Sequence, residues 1–409
     1  MLEFRHITIG VMFSNHSLNK IYLKLFFLII FLTPILIYPQ ARKSTIHGII
    51  TNKKTKKVVS NVNVYLAYTM LGSSTNDKGE YSITNIPSGR YTMVISHVGY
   101  EPLNIKIDIN NVGSYRSSFK LVPKVYQLPE INVTVDDQED REDNIEIFKD
   151  AFIGNSDFAE LTYIENPIVL NFEWKDREHL FATADKPLII VNTALGYKIE
   201  YTLMYFEYNP KYVKYSGFPK FNLLKTENKD SLLIWEKNRA KVYRGSLRQF
   251  LHLISKNYSD LYEESVDTTK GWQYFSKENI KPKPKKTDED FLKKYGFDVY
   301  YKSTLEENFD YRPIVFGVNT YKYLSPSENP NELFIKFNNY FEIWYEDPAD
   351  EDADVLTSWI KLEKDSVVID RMGRYYETFG IKSYGDWANE RIAETLPYEY
   401  VLPDSVFIK

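Results

Sequence analysis

Residues Ser44 to Val122 alternate apolar and polar side chains in short runs. Ile46, Gly48 and Ile50 share one face of the first run, and Val62, Val64 and Leu66 one face of the second. Tyr81 and Ile83 follow, then Tyr91, Met93 and Ile95, then Leu103, Ile105, Ile107 and Ile109, then Phe119 and Leu121. A period of two marks half-buried strands, because successive side chains point to opposite faces. Asn76-Asp77-Lys78-Gly79 and Pro87-Ser88-Gly89 supply turn chemistry between runs, with Gly79 free to take positive φ. Short strands punctuated in this way predict a small β-sandwich of about seven strands over residues 42–125.

The later part of the chain is again strand-rich. Ile168 to Trp174, Pro187 to Val191, Tyr197 to Leu203, Leu333 to Phe337, Tyr340 to Tyr345, Thr357 to Leu362 and Val367 to Asp370 all read as strands, many carrying Tyr, Phe or Trp. Helices are few. One runs from Ser231 to Ser255, with an apolar stripe through Leu232, Trp235, Tyr243, Leu247, Phe250, Leu251 and Ile254, and with Gly245 placed to kink or divide it. A short one covers Ile147 to Ile153, and a last one Asp386 to Leu396, capped by Asp386 and ended by Pro397. The fold class is therefore mainly β: a sandwich, then an antiparallel α+β region over residues 147–409. Between them lie a linker strand and an acidic segment, residues 126–146, where carboxylates suit either a solvated linker or the front of a helix. Pro282-Lys283-Pro284-Lys285-Lys286 marks a loop inside the second region.

The N-terminus reads differently. Lys20 and Lys24 precede an apolar core from Leu25 to Leu32, then Pro34 and Ile35 to Tyr38, with the small Ala41 behind. A positive start, a short apolar stretch and a small residue form a secretory signal peptide over residues 1–41. A spanning helix needs about 20 apolar residues, and Pro34 would interrupt one. Translation starts at either Met1 or Met12. The 409 residues contain no cysteine, so the chain offers neither disulfides, nor thiolate chemistry, nor the lipidated cysteine of a bacterial lipoprotein. The expected location is the periplasm or the outer-membrane surface, without a lipid anchor. A net charge of -5 argues against nucleic acid as a partner.

Five pieces of the first domain carry a resemblance. His47-Gly48-Ile49-Ile50, Val62-Asn63-Val64, Thr75 to Ile83, Ile86 to Tyr91 and Val98-Gly99-Tyr100 resemble, in order and spacing, the carboxypeptidase regulatory-like domain. Leu128 to Val135 resembles the strand that follows this domain in exported Gram-negative proteins. The resemblance implies a transthyretin-like or Ig-like sandwich that is an accessory module. In metallocarboxypeptidases the zinc site lies in a separate domain, with a His-x-x-Glu pair. None of the six His here has Glu three residues later, and no His-Glu-x-x-His occurs. The one departure is Lys56-Lys57-Val58-Val59, which replaces the usual Gly-x-Pro-Leu turn.

Candidate chemistry is sparse. Asp350, Asp352 and Asp354 have calcium-loop spacing, but Val355 stands where Gly is needed and Lys361 where Glu is needed, which leaves an acidic hairpin tip. Nucleophile elbows, phosphate loops and dinucleotide fingerprints are absent from the sequence. Ser246 and His252 point to different faces of a helix and form no dyad. No cofactor or metal is implied. Lys237, Lys241, Arg244 and Arg248 recur at helical spacing and form a candidate anionic contact, set against a plain solvated face; Trp235 beside them is a candidate ligand contact.

The leading reading is a non-enzymatic exported protein with a binding or assembly role, its partners envelope proteins or glycans, with peripheral outer-membrane association. A glycan or peptide hydrolase with its site in residues 147–409 is the first alternative, since the separation of paired carboxylates is a three-dimensional fact. A small outer-membrane β-barrel is the second, although Lys and Glu interrupt the strands where a lipid face should be continuous.

Overall fold

The computed structural model describes residues 43–124, 135–265, 288–303, 305, 318–329, 331–350 and 352–402. The signal segment, the proline-rich loop and all of the strand read over Leu128 to Val135 except Val135, which is helical, lie outside them.

The first domain is a two-sheet sandwich. One sheet holds β1 (Ser44–Asn52), β4 (Glu80–Ile86), β7 (Ser114–Arg116) and β8 (Phe119–Leu121); the other holds β2 (Asn63–Leu66), β3 (Gly72–Ser74), β5 (Gly89–Ser96) and β6 (Leu103–Ile109). Strand β1 pairs antiparallel with β4 and parallel with β7 and β8. The alternating residues meet between the sheets: Ile46, Ile50, Val64, Leu66, Ile83, Met93 and Ile95 are all buried. Three-residue strands such as β3 and β7 are too short to show a period, so they escape a pattern reading.

Helix α1 (Val135–Ile153) begins within the acidic segment. That segment is thus a helix front where it is described. The rear of α1 buries Phe148, Phe152 and Ile153 against a six-stranded sheet. This sheet contains β9 (Thr162–Ile164), β10 (Leu170–Trp174), β11 (Leu180–Ala184), β12 (Leu188–Asn192) and the long hairpin β13 (Tyr197–Asn209) and β14 (Tyr212–Leu223). A one-turn helix, α2 (Asp157–Glu160), precedes β9.

The helix expected over Ser231 to Ser255 is two. Helix α3 (Lys229–Tyr243) and α4 (Leu247–Ser265) are separated at Gly245, whose φ of 71° is left-handed. A Cβ there would lie 2.4 Å from the ring of Tyr345, so close packing also demands glycine. Helix α4 and α5 (Asp288–Lys293) cover a core shared with two antiparallel sheets. One sheet runs in the order β15 (Phe297–Lys302), β18 (Tyr340–Tyr345), β19 (Leu356–Leu362), β21 (Ile381–Gly385). The other runs β16 (Leu324–Pro326), β17 (Glu332–Ile335), β20 (Val367–Asp370). The helix expected over Asp386 to Leu396 is instead two short 3-10 turns, Asp386–Ala388 and Ile392–Glu394. Asp386 does not cap it: its Oδ2 accepts from the Thr357 N–H, and Arg391 is extended between the turns.

Residues from Lys43 onward form one compact unit. The tip after β2 joins the two regions through backbone bonds. Tyr68 N–H donates to Pro219 O at 2.7 Å, Phe221 N–H to Thr69 O at 3.0 Å and Tyr398 N–H to Tyr68 O at 2.8 Å. Tyr65 reaches across with its hydroxyl, donating to Phe218 O at 3.0 Å. Arg90 meets Glu332 at 3.0 Å, and the Arg374 guanidinium lies 4.8 Å from the Tyr91 ring centre.

Candidate functional site

The structure separates the four basic residues of the expected stripe. Lys237 and Lys241 on α3 are exposed. Arg244 pairs with Asp347 at 3.5 Å. Arg248 lies beyond the Gly245 break and donates to the carbonyls of Met372, Pro397, Tyr398 and Tyr400, binding the C-terminal segment to α4. Trp235 is 9% exposed; its indole N–H donates to Thr193 O at 2.8 Å, and its ring packs on Gly196. It anchors α3, together with Asn238 on Ala194 O and Arg239 on Leu195 O. The outward side of the same helix carries Leu232, Leu233 and Ile234, with Leu233 70% exposed.

Two depressions bear acids or bases. One, of about 510 Å³, opens beside the end of α1 and is lined by Asp150, Asn155, Glu160, Asn389 and Arg391. The other, of about 100 Å³, lies at the seam of the two regions between Arg90, Tyr91, Arg374, Tyr376 and Tyr398. In the latter Arg374 pairs with Asp370, and Arg90 with Asp108 and Glu332, while Lys106 also lines the depression.

A third place stands out by composition. Alternate residues of the β15-β18-β19-β21 sheet point inward: Phe297, Val299, Phe341, Ile343, Tyr345, Ile360 and Leu362 are buried in the shared core. The opposite face of an antiparallel sheet ordinarily carries polar side chains. Here the register sets Tyr340, Glu342 and Trp344 of β18 beside Trp359 and Lys361 of β19, then Lys382 and Tyr384 of β21. Trp344 is 39% exposed, and Tyr340, Trp359 and Tyr384 are half-buried.

Glu342 organises this face. Its carboxylate accepts from the indole N–H of Trp344 at 2.7 Å and of Trp359 at 3.0 Å, and pairs with the ammonium of Lys302 on β15. Three donors on one carboxylate hold two indole rings in fixed orientations. Three of the rings carry lysines: Lys361 lies 6.0 Å from the Tyr340 ring centre, Lys382 5.1 Å from that of Tyr384 and Lys302 5.8 Å from that of Trp359. The result is a pre-set aromatic surface edged by ammonium groups. Sequence reading found β18 and β19 but not β15 or β21. The available signal was the parity of Tyr340, Trp344 and Trp359, which share a face with Glu342 and Lys361.

Residues 46–133 match the family model of the CarboxypepD_reg-like domain. The first domain is therefore of the carboxypeptidase regulatory-like kind. No curated protein matches the chain. Among solved structures, a mutant type II cohesin–X-dockerin complex from Acetivibrio cellulolyticus is similar at 20% identity, covering 18% of this chain and 51% of that one, with a TM-score of 0.17. The pilus 2b backbone protein of group B streptococcus is similar at 13% identity over 20% of this chain and 41% of its own, with a TM-score of 0.17. The 3-chlorocatechol 1,2-dioxygenase of Rhodococcus opacus 1CP is similar at 12% identity over 20% of this chain and 61% of its own, also with a TM-score of 0.17. The alignment spans about half the length of the cohesin–dockerin chain.

Proposed function

We propose that this chain is a non-enzymatic exported protein of the cell envelope that binds its partner on the outer face of the β15-β18-β19-β21 sheet. The observation that carries this reading is Glu342, a buried carboxylate holding two indoles in place on a face that covers no other layer of the described core. A packing role asks for no such fixing, whereas a binding surface gains affinity when its rings are ordered before the ligand arrives. The regulatory-like sandwich serves as a support, joined to the second region through Tyr68, Thr69 and Tyr398. Export rests on the positive, apolar N-terminal segment with its small Ala41. Peripheral membrane contact falls to α3, where Leu232, Leu233 and Ile234 are exposed near Lys237 and Lys241. Replacing Leu233 with Glu then moves the protein from the membrane fraction to the soluble one.

The test is fractionation of the tagged chain with a photocrosslinking side chain in place of Trp344. Envelope recovery and adducts at that position are expected. A cytoplasmic chain, or no more adducts than from the exposed Lys120 of the sandwich, overturns the reading. A hydrolase would place its acids in the depression near α1, so turnover of a glycan or peptide that is lost in Asp150→Asn or Glu160→Gln overturns the non-enzymatic part.

A further inference from the structure

The aromatic face carries a charge arrangement that folding alone does not explain. Lys361 and Lys382 are direct cross-strand partners in the β19–β21 register, on the same face as Trp359 and Tyr384. Like charges set directly opposite each other destabilise a sheet. Neither ammonium forms an ion pair with a described residue. Glu342, an acid of the same face, is already taken by Lys302 and two indoles. Asp298 at the far edge is held by Lys293 at 3.5 Å. The face therefore presents apolar rings with unmatched positive charge beside them.

We propose that this face binds an acidic polysaccharide; the inference rests on the sheet face being the binding surface. The apolar sides of pyranose rings stack on Trp344, Trp359 and Tyr384, and ring carboxylates meet Lys361 and Lys382. Each part of the ligand answers one part of the surface. Flat rings with C–H faces suit indoles whose edges are fixed by Glu342, because stacking then costs little side-chain freedom. A repeating carboxylate offsets the repulsion of the lysine pair, so complexation improves both partners' electrostatics. Single-stranded nucleic acid also combines stacking rings with negative charge. Nucleic acid calls for a basic groove that tracks its backbone, whereas this face sets two cross-strand lysines at one side of its rings.

The test measures binding of the purified chain to polygalacturonate, to a neutral β-glucan and to single-stranded DNA. Polygalacturonate is expected to bind, and to weaken as salt rises. Trp359→Ala and the double variant Lys361→Gln/Lys382→Gln are each expected to weaken it about tenfold or more. The lysine variant serves as its own folding control, because removing the like-charge pair raises the thermal midpoint of the free chain. Equal binding of neutral glucan, with the lysine variant unaffected and Trp359→Ala defective, overturns the acidic class and leaves the binding face standing. Binding of none of these, with adducts still forming at position 344, overturns the glycan and again leaves the face. Tighter binding of single-stranded DNA overturns the glycan in favour of nucleic acid. Polysaccharide binding indifferent to all three positions overturns both this inference and the proposed binding face.

Discussion

Two carboxyl groups show how differently the same side chain acts in two surroundings. Glu342 is buried and fully engaged, with two indole donors and the Lys302 ammonium. Glu342→Ala leaves those donors without an acceptor and a part-buried cation alone, which costs about 3 kcal/mol in urea unfolding. Glu342→Gln keeps one acceptor and costs less, while both variants loosen the indoles and weaken ligand binding. An unfolding midpoint unchanged in Glu342→Ala would show that the clamp is incidental. Glu390 is the opposite case. Its carboxyl accepts only a long bond from Leu247 N–H at 3.4 Å among described contacts, and burial, then the nearby Glu394, push its pKa up to about 8. A carboxyl raised in the folded state is still protonated there when its unfolded counterpart has ionised. Its contribution to stability is complete at pH 4 and is lost as the pH rises toward 8. Wild-type chain is thus expected to lose urea resistance between pH 5 and pH 8. Glu390→Gln reduces that slope, and an equal slope in both proteins would exclude Glu390 as its source.

Elements, rather than single residues, divide what the sequence discloses from what it hides. Strands such as β18 and β19 stand in the structure where alternation places them, because a period of two survives as long as one face is buried. The sandwich was legible in the same way, helped by turn residues at Asn76 and Gly79. Helix ends were less legible. The apolar stripe through Trp235, Tyr243, Phe250 and Ile254 fits one long helix, yet the chain turns at Gly245 because Trp387 Nε1 donates to its carbonyl and Gln249 accepts its N–H. Gly245 was the local signal for a division and Gln249 lies only four residues on, while Trp387 is a tertiary partner that no local pattern encodes. The segment after Asp386 fails to form an α-helix for a similar reason: Asp386 serves Thr357, and Arg391 serves Ala151 and Glu390 carbonyls. The candidate face was half legible. Its residues were visible, but only sheet order places β15, β18, β19 and β21 side by side. Gly245→Ala tests the tertiary origin of the break. It forces a Cβ into the Tyr345 ring and a left-handed φ on alanine, for a loss of about 2–3 kcal/mol in equilibrium unfolding. A fully stable variant would mean that the two helices merge without harm.

At the scale of the whole molecule the question is whether sandwich and second region unfold as one. The seam is built from backbone bonds at Tyr68 and Thr69, the Tyr65 hydroxyl, the stacking of Tyr68 on Tyr398 at 5.1 Å and the reach of Arg90 to Glu332. Backbone bonds are directional and are lost together when either side opens, so the seam favours a single cooperative unit. The sequence supplies a clean reporter, because all six tryptophans, from Trp174 to Trp387, lie beyond the sandwich. Tryptophan fluorescence therefore follows the second region alone. Ile50 lies in the sandwich core with no exposed surface. Ile50→Val removes one buried methylene and destabilises its surroundings by about 1 kcal/mol. If the two regions are coupled, that loss lowers the midpoint of the tryptophan transition by about 2 °C, although no tryptophan is near the substitution. If they are merely tethered, the tryptophan midpoint stays fixed while a tyrosine or far-ultraviolet signal from the sandwich shifts. Coincident shifts in both signals are the expected result. They would mean that the aromatic face is held by the stability of the whole unit, and that the regulatory-like domain contributes to binding without touching the ligand.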